Sequence, residues 1–188
     1  MDQHHAAWTD AFAQSAASYR RMIDKTVSQL TDEELRRQPG ESFNSVAILL
    51  RHLGGNLISR WTDFLTTDGE KPDRNRDTEF ETWPGDRESL MQFFDRGWRA
   101  FESAIEQARQ LDPNSEIFIR GESHTLSQAF VRSLTHTSYH IGQISMVARM
   151  VHAGDWNWLT IKPNESQQHN QETWGTKSSR SVFGKDEE

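Results

Sequence analysis

Two of the eight histidines in this 188-residue chain, His136 and His140, stand four positions apart in a segment with helical periodicity. Residues four apart in an α-helix differ by about 40° around the axis, so both imidazoles fall on one face, one turn apart. Two imidazoles in this arrangement can bind one metal ion. A histidine pair at this spacing also occurs as a structural pair or on an exposed face, so the spacing alone leaves both interpretations open.

His52 is the candidate for a third ligand, because it lies in the most apolar stretch of the chain, residues 47–53. Burying an imidazole among leucines costs free energy unless it has a polar partner. Gly55 and Asn56 follow one turn later and offer space and a polar group. A satisfied core histidine is the alternative interpretation. Three neutral imidazoles would leave a coordination position open, which is typical of catalytic rather than structural metal sites.

The other five histidines do not share this geometry. His152 comes twelve residues after His140, which places it about 120° away around the helix. His124 precedes the predicted start of that helix. The remaining three lie near the N-terminus or in a polar C-terminal segment: His4, His5 and His169.

Composition and charge exclude several function classes. With no cysteine in the chain, disulfides, thiolate metal ligands and a cysteine nucleophile are excluded. A net charge of −7 argues against binding nucleic acid, which requires a basic face. We find no apolar run of the ~20 residues that a membrane span needs and no secretory signal. We therefore expect a cytoplasmic protein without nucleic-acid or membrane partners.

Other well-known sites do not fit the sequence. Thr137 stands where the zinc proteases with a His-Glu-x-x-His motif carry their glutamate. Di-iron bundles use Glu-x-x-His on two helices, a pattern that occurs nowhere in this chain. Phosphate-binding and dinucleotide-binding loops and the nucleophile elbow of hydrolases are also missing.

Four long segments have apolar residues at helical spacing, and capping residues mark where three of them begin. The predicted helices cover about 3–30, 45–69, 87–112 and 126–153, with Asn44, Asp86 and Thr125 as N-caps of the last three. Thr31 begins a short extra turn. Before the last helix, residues 116–125 combine β-forming apolar residues with a polar turn and predict a small hairpin.

Four helices that each bury one apolar stripe predict an all-α fold, a four-helix bundle. The connection over about residues 68–85 is long for antiparallel neighbours, so the second and third helices can run parallel in an up-down-down-up topology. We assign residues 1–159 to this domain and residues 160–188 to a polar C-terminal tail, extended or disordered. The tail contains only four hydrophobic residues: Ile161, Trp174, Val182 and Phe183.

Several of these segments resemble the DinB/YfiT-like superfamily of metal-dependent bundle proteins, and most closely a bacterial subgroup of unknown function. The resemblance spans most of residues 44–150, and its strongest part is His136-x-x-x-His140 followed by Ile-Gly-Gln. The other matching segments are Asn44–Ala47, Arg51–Asn56, Ser59–Pro72 and Ile119–Glu122. The resemblance implies an up-down-down-up four-helix bundle that forms homodimers. It also implies that His52, His136 and His140 bind a divalent metal.

Characterised relatives in that superfamily include transferases that use low-molecular-weight thiols and a thiol-dependent isomerase. The leading hypothesis is therefore a metal-dependent transferase with a small-molecule substrate, in which a cosubstrate supplies the thiol. A non-catalytic metal-binding or stress-related bundle is the alternative, and a bundle with an empty histidine cluster is a third. Imidazole suits zinc, nickel, iron and copper alike, so the sequence does not identify the ion. The candidates for the divalent ion are zinc, nickel, iron and manganese.

Asn56 and Gln143, within a turn of the histidines on their own helices, are candidates for contacts to substrate or ligand. Asn56 bonded to a neighbouring helix and Gln143 on a solvated face are the alternatives, and no catalytic residue is assigned. Seven tryptophans favour an aromatic or apolar substrate. Trp61 and Trp98 are predicted core residues, because they lie on helix stripes. Trp156 and Trp158, just past the last helix, could line a pocket mouth or a dimer contact.

Overall fold

Helices account for most of residues 3–174, the part of the chain that the computed structural model describes. The helices in this part are α1 (Gln3–Val27), α2 (Asp32–Arg36), α3 (Val46–Trp61), α4 (Arg87–Ala108), α5 (Leu126–Val151) and α6 (Ser166–Thr173). A 3₁₀ helix (Asp77–Phe80) precedes α4, and the strands β1 (Glu116–Ile119) and β2 (Glu122–Thr125) form an antiparallel hairpin before α5. The predicted all-α bundle with one small hairpin is confirmed.

Capping side chains begin α2, α4 and α5 at Thr31, Asp86 and Thr125, as predicted. The prediction of Asn44 as the cap of α3 is wrong by one residue. Ser45 is the cap, and its hydroxyl accepts a hydrogen bond from the backbone N–H of Ile48. Serine and asparagine are comparable N-caps, so the residue types alone did not separate the two positions.

Helix α3 ends earlier than the sequence predicts, at Trp61 rather than near residue 69. Thr62 has an extended backbone, and Asp63 has a φ of +48°, which no α-helix accommodates. The backbone N–H groups of Thr66 and Thr67 both donate to the Asp63 carbonyl. This turn redirects the chain, so Leu65, which lies within the predicted helix, is exposed.

The two central helices, α3 and α4, run in the same direction. Gly54 lies against Gly97, and one to two turns later the Trp61 and Phe101 rings are 5.6 Å apart. Helix α5 runs opposite to α3, since Trp61 at the end of α3 donates to Ser133 near the start of α5.

Contacts of α1 complete the topology. Trp8 packs on Phe130 near the start of α5, and Gln29 beyond the end of α1 binds Asn157 beyond the end of α5, so these helices are parallel. Asp10 pairs with Arg109, which caps the far end of α4, so α1 and α4 are antiparallel. The topology is therefore up-down-down-up.

An aromatic cluster fills the core at one end of the bundle. Trp61 and Trp98 are almost fully buried, which confirms them as core residues. The Trp61 ring stacks on Phe130 at 4.3 Å between centroids, and its indole N–H donates to Ser133 at 3.0 Å. Such aromatic pairs contribute about 0.5–1.5 kcal/mol beyond the area they bury. The cluster therefore fixes α3 against α5 one to two turns before His136.

The segment assigned to the polar tail is partly helical. Residues 166–173 form α6, which buries none of its residues, so this part is polar as predicted but not extended. No glycine or proline interrupts residues 164–174, and such a sequence tolerates a helix. Val182 and Phe183 lie outside the described residues, and the boundary at residue 160 stays a prediction. No helix within residues 3–174 is both long and apolar enough to cross a membrane.

Candidate metal centre

Three histidines from two antiparallel helices meet in the bundle interior. His52 comes from the middle of α3, and His136 and His140 come from successive turns of α5. One ring nitrogen of each lies within 4.8 Å of those of the other two. His52 is 3% exposed and His140 is 8% exposed. The three histidines that the sequence singled out, two by their spacing and His52 by its apolar context, therefore converge in the structure.

Hydrogen bonds on the far side of two rings set their tautomers. His52 Nδ1 donates to Glu79 Oε2 at 2.8 Å, and His140 Nδ1 donates to Gln143 Oε1 at 2.8 Å. A neutral imidazole that is protonated at Nδ1 has its lone pair on Nε2. Both Nε2 atoms therefore face the third histidine, His136, as acceptors rather than donors.

The distances between the Nε2 atoms fit a bound cation. His136 Nε2 lies 3.1 Å from His140 Nε2 and 3.4 Å from His52 Nε2. Nitrogen ligands about 2.0–2.1 Å from zinc at tetrahedral angles are about 3.3 Å apart. His136 Nε2 can donate a proton to one of these two acceptors or, when His136 carries its proton on Nδ1, complete a set of three lone pairs that a cation between them would bind. The chemistry and spacing of these donors thus suit a divalent metal.

A buried charge chain supports His52. Glu79, on the 3₁₀ helix, also accepts two hydrogen bonds from Arg74, each 2.8 Å long. Arg74, whose side chain is 5% exposed, pairs as well with Glu70 at 3.0 Å. The Glu79 carboxylate occupies the space beside Gly55, where a Cβ atom would overlap Oε1. The gap that the sequence shows one turn after His52 is therefore filled by Glu79.

Sequence reasoning missed both Glu79 and Arg74. They lie in the irregular connection between α3 and α4, which has no periodicity from which to place a side chain. Metal-binding histidines commonly donate to a carboxylate, so an acidic partner for His52 is expected. Nothing in the sequence selects Glu79 among the 28 aspartates and glutamates.

Burial keeps His136 and His140 neutral. It lowers the pKa of His136 to about 3 and that of His140 to about 4, and the neighbouring imidazoles add to the effect on each. Burial would raise the pKa of the Glu79 carboxyl, but hydrogen bonds from His52 and Arg74 outweigh it and lower that pKa below its ordinary value. His136 and His140 are therefore unprotonated at neutral pH, as metal ligands must be.

We expect the metal-free protein to lose stability as the pH falls from about 6.5 to about 3. In that range the imidazoles of His136 and His140 bind protons in the unfolded chain, where the pKa is about 6.5, before they do so in the folded chain. The unfolded state then carries more protons and is favoured. Urea unfolding of the chelator-treated protein at several pH values measures this.

The matched variant for that experiment is the double substitution His136→Ala/His140→Ala, which should show a shallower decline over the same range. If the free energy of unfolding declined equally with pH in the two proteins, the lowered pKa values of His136 and His140 would be contradicted. Glu79 also loses its stabilising charge as pH falls, but it does so in both proteins, so the difference isolates the two imidazoles.

Replacing Glu79 by glutamine is expected to weaken zinc binding by about 10- to 100-fold, the usual effect of losing the acidic partner of a metal-binding histidine. Glutamine retains an oxygen toward His52 Nδ1 but removes the charge that raises the basicity of the ring. Competition with a chromophoric chelator gives the affinity. Glu81→Gln is the control, because Glu81 lies on the same connection with an exposed side chain, and an equal loss in both variants would contradict the role of Glu79.

The two predicted contact residues lie on different sides of the cluster. Asn56 lines a cavity of about 220 Å³ together with His52 and His136. Gln143 holds the His140 ring, donates to the Tyr139 hydroxyl at 3.1 Å, and borders a second, largely apolar cavity of about 470 Å³. Contact of either residue with a substrate stays a prediction.

The other histidines of the described chain do not join the cluster. His124 lies on β2, and His152 caps α5 and faces Glu34 at 3.3 Å. His169 lies on α6. The side chains of His4 and His5 lie outside the described residues.

The two tryptophans after α5 lie away from the histidines. Trp156 packs on the core beside His152, with the ring centroids 5.8 Å apart. Trp158 lies under the Arg149 guanidinium at 4.4 Å. Neither lines the 220 Å³ or the 470 Å³ cavity, and the dimer contact predicted for them stays a prediction.

Comparison with known proteins identifies a family. The model of the family described as "Protein of unknown function (DUF1572)" matches residues 3–165, a range that includes all three histidines, Glu79 and Gln143. No curated protein and no solved structure matches the chain.

Proposed function

The chain belongs to the DUF1572 family of proteins of unknown function, and from that premise we propose that it is a divalent-metal-dependent enzyme. The observation that carries the proposal is the convergence of His52, His136 and His140, whose ligand atoms lie within 4.8 Å of one another. We further propose that it is a transferase using a low-molecular-weight thiol, as in the DinB/YfiT-like superfamily. The up-down-down-up topology supports that superfamily.

His52, His136 and His140 would hold the divalent cation, which would act as a Lewis acid and lower the pKa of a bound thiol or water at neutral pH. The protein's own residues prepare the site. Glu79 and Gln143 hold two rings with Nε2 inward. Burial of His52 and His140 restricts water and strengthens electrostatic interactions at the site.

The reacting thiol has to be supplied by a cosubstrate, since the chain contains no cysteine. Asn56, at the cavity beside His52 and His136, is placed to orient a bound molecule. The 220 Å³ volume of this cavity is below the roughly 300–1,000 Å³ of pockets for drug-sized ligands. It therefore favours a small substrate.

The test is turnover by metal-loaded protein with a panel of cellular thiols and electrophiles. We expect thiol transfer in the wild type, and we expect none in His136→Ala/His140→Ala at the same zinc concentration. If zinc binding requires the histidines but no combination of thiol and electrophile shows histidine-dependent turnover, the proposed enzyme activity would be rejected in favour of a non-catalytic metal-binding protein. If the wild type and the double variant both bind the same amount of zinc, well below one ion per chain, the metal site itself would be rejected.

A further inference from the structure

Five arginines surround the 220 Å³ cavity beside the histidines. They come from separate parts of the chain: the end of α3, the α3–α4 connection, the hairpin turn and the first third of α5. The five are Arg60, Arg74, Arg76, Arg120 and Arg132. The cavity is also lined by His52, Asn56, Ser133 and His136. A ligand in this arginine pocket therefore lies directly against the histidine cluster.

The positive charge of the arginine pocket exceeds what the protein neutralises. Within residues 3–174, the carboxylates that pair with its arginines are Glu79, with Arg74, and Glu70, with Arg74 and Arg120. Five positive charges against these two leave +3. Counting Asp68, whose carboxylate accepts backbone N–H groups of the hairpin turn, still leaves +2. This excess lies in a chain whose net charge is −7.

Arg60 is the most informative member of the arginine pocket. It is 6% exposed, and its Nη1 is buried without a hydrogen-bond partner among the described residues. Burial lowers the pKa of its guanidinium to about 10, and Arg132 adds to the effect. An arginine remains charged under these conditions, and a buried charge without a partner destabilises a fold. An anion in the pocket would offset the charge of this guanidinium.

The hairpin is built to hold another arginine at the same cavity. Arg120 occupies the turn between β1 and β2 with a φ of +57°, which is a strained backbone for a residue with a side chain. Asp68 Oδ1 accepts the Arg120 N–H at 2.8 Å, and Oδ2 accepts the next N–H, of Gly121, at 2.7 Å. These bonds fasten the turn to the α3–α4 connection and fix Arg120 at the cavity.

We propose that the arginine pocket binds an oxyanion group, a carboxylate or a phosphate, of a small molecule that occupies the site beside the histidines. Guanidinium groups bind both kinds of oxyanion through paired, charge-assisted hydrogen bonds. That this molecule is the substrate rests on the proposed function. Binding of the anion does not require it.

Calorimetric titration of the metal-free full-length protein with inorganic phosphate, and separately with succinate, tests the proposal. We expect saturable binding of at least one, and the tighter of the two identifies the class of oxyanion. Arg132→Gln should weaken that binding roughly tenfold, the effect of one charged hydrogen bond. Arg132 is exposed, so this variant should fold. Arg99→Gln is the control, because Arg99 is exposed on α4, which contributes nothing to the pocket.

Arg60→Met provides a second, independent readout. The wild type should be stabilised by phosphate or succinate in thermal unfolding, whereas Arg60→Met should be at least as stable without the anion and should gain little from it. No saturable binding of either anion, or an equal loss in Arg132→Gln and Arg99→Gln, would overturn the proposal even if zinc binds the histidines. Arginine-dependent anion binding without histidine-dependent zinc binding would support the pocket and reject the metal function.

Discussion

Zinc affinity is expected to fall by about 100-fold or more when His136 is replaced by alanine. His136 Nε2 lies between the other two, at 3.1 Å from His140 Nε2 and 3.4 Å from His52 Nε2. Its loss leaves two imidazoles from different helices, one protein ligand fewer than the open zinc sites of enzymes use. Removing a ligand should exceed the 10- to 100-fold effect of removing a ligand's hydrogen-bond partner.

The substitution should not unfold the metal-free protein. His136 Nδ1 is buried without a hydrogen-bond partner among the described residues, so alanine removes an unsatisfied polar group. The matched control is His124→Ala, which removes an imidazole on β2, outside the cluster. Competition with a chromophoric chelator should give wild-type affinity for His124→Ala. Equal affinities for His136→Ala and His124→Ala would contradict the site.

The same pair of proteins gives a stability readout. A ligand that binds only the folded state stabilises it, by about 2.7 kcal/mol at a free concentration of 100 times Kd. Zinc should therefore raise the midpoint of thermal unfolding in the wild type and in His124→Ala, but much less in His136→Ala.

Alanine at Gly97 is expected to lower the free energy of unfolding by about 2–3 kcal/mol, the cost of overpacking a tight core position. A Cβ atom there would overlap the Gly54 carbonyl oxygen and lie 3.0 Å from the Gly54 Cα. These are backbone atoms, which no rotamer change can move aside. Helices α3 and α4 would have to separate, and the gain of about 1 kcal/mol in helix propensity would not offset the lost packing.

Gly142→Ala is the control for this substitution. Gly142 lies inside α5, and no atom beyond its own helical backbone lies within 4 Å of a Cβ built there. Alanine should therefore stabilise the protein by about 1 kcal/mol at this position. Urea unfolding of both variants measures the difference, and a Gly97→Ala protein as stable as the wild type would contradict the close helix contact.

Gly97→Ala should also weaken zinc binding, because Gly54 is two residues from His52 on the same helix. Helix α3 holds His52 against two residues of α5, and the fit of the three nitrogen atoms depends on that placement. Gly142→Ala should leave the affinity unchanged.

Periodicity predicted the four long helices, because each helix buries one stripe, and capping side chains marked the starts of α4 and α5 at Asp86 and Thr125. The end of α3 was not predictable in this way. Asp63 terminates it through a local backbone conformation, whereas apolar residues continue at helical spacing to Leu65.

The candidate ligands were also predictable from local sequence patterns. His136 and His140 share a helix, so their relation depends on the helical repeat alone, and His52 stood out as a polar residue in an apolar segment. Glu79 and the arginine pocket depend on how irregular segments fold over the bundle. Arg74 and Arg120, for example, are 46 positions apart and both pair with Glu70, which no local pattern encodes.

X-ray absorption spectroscopy of the full-length protein loaded with one equivalent of zinc tests the metal site most directly. We expect three imidazole nitrogens at about 2.0–2.1 Å, completed by one or more light ligands, and a loss of one imidazole in His52→Ala. Zinc bound by fewer than three imidazoles in the wild type, or an identical spectrum in His52→Ala, would contradict the assignment of His52, His136 and His140 as its ligands.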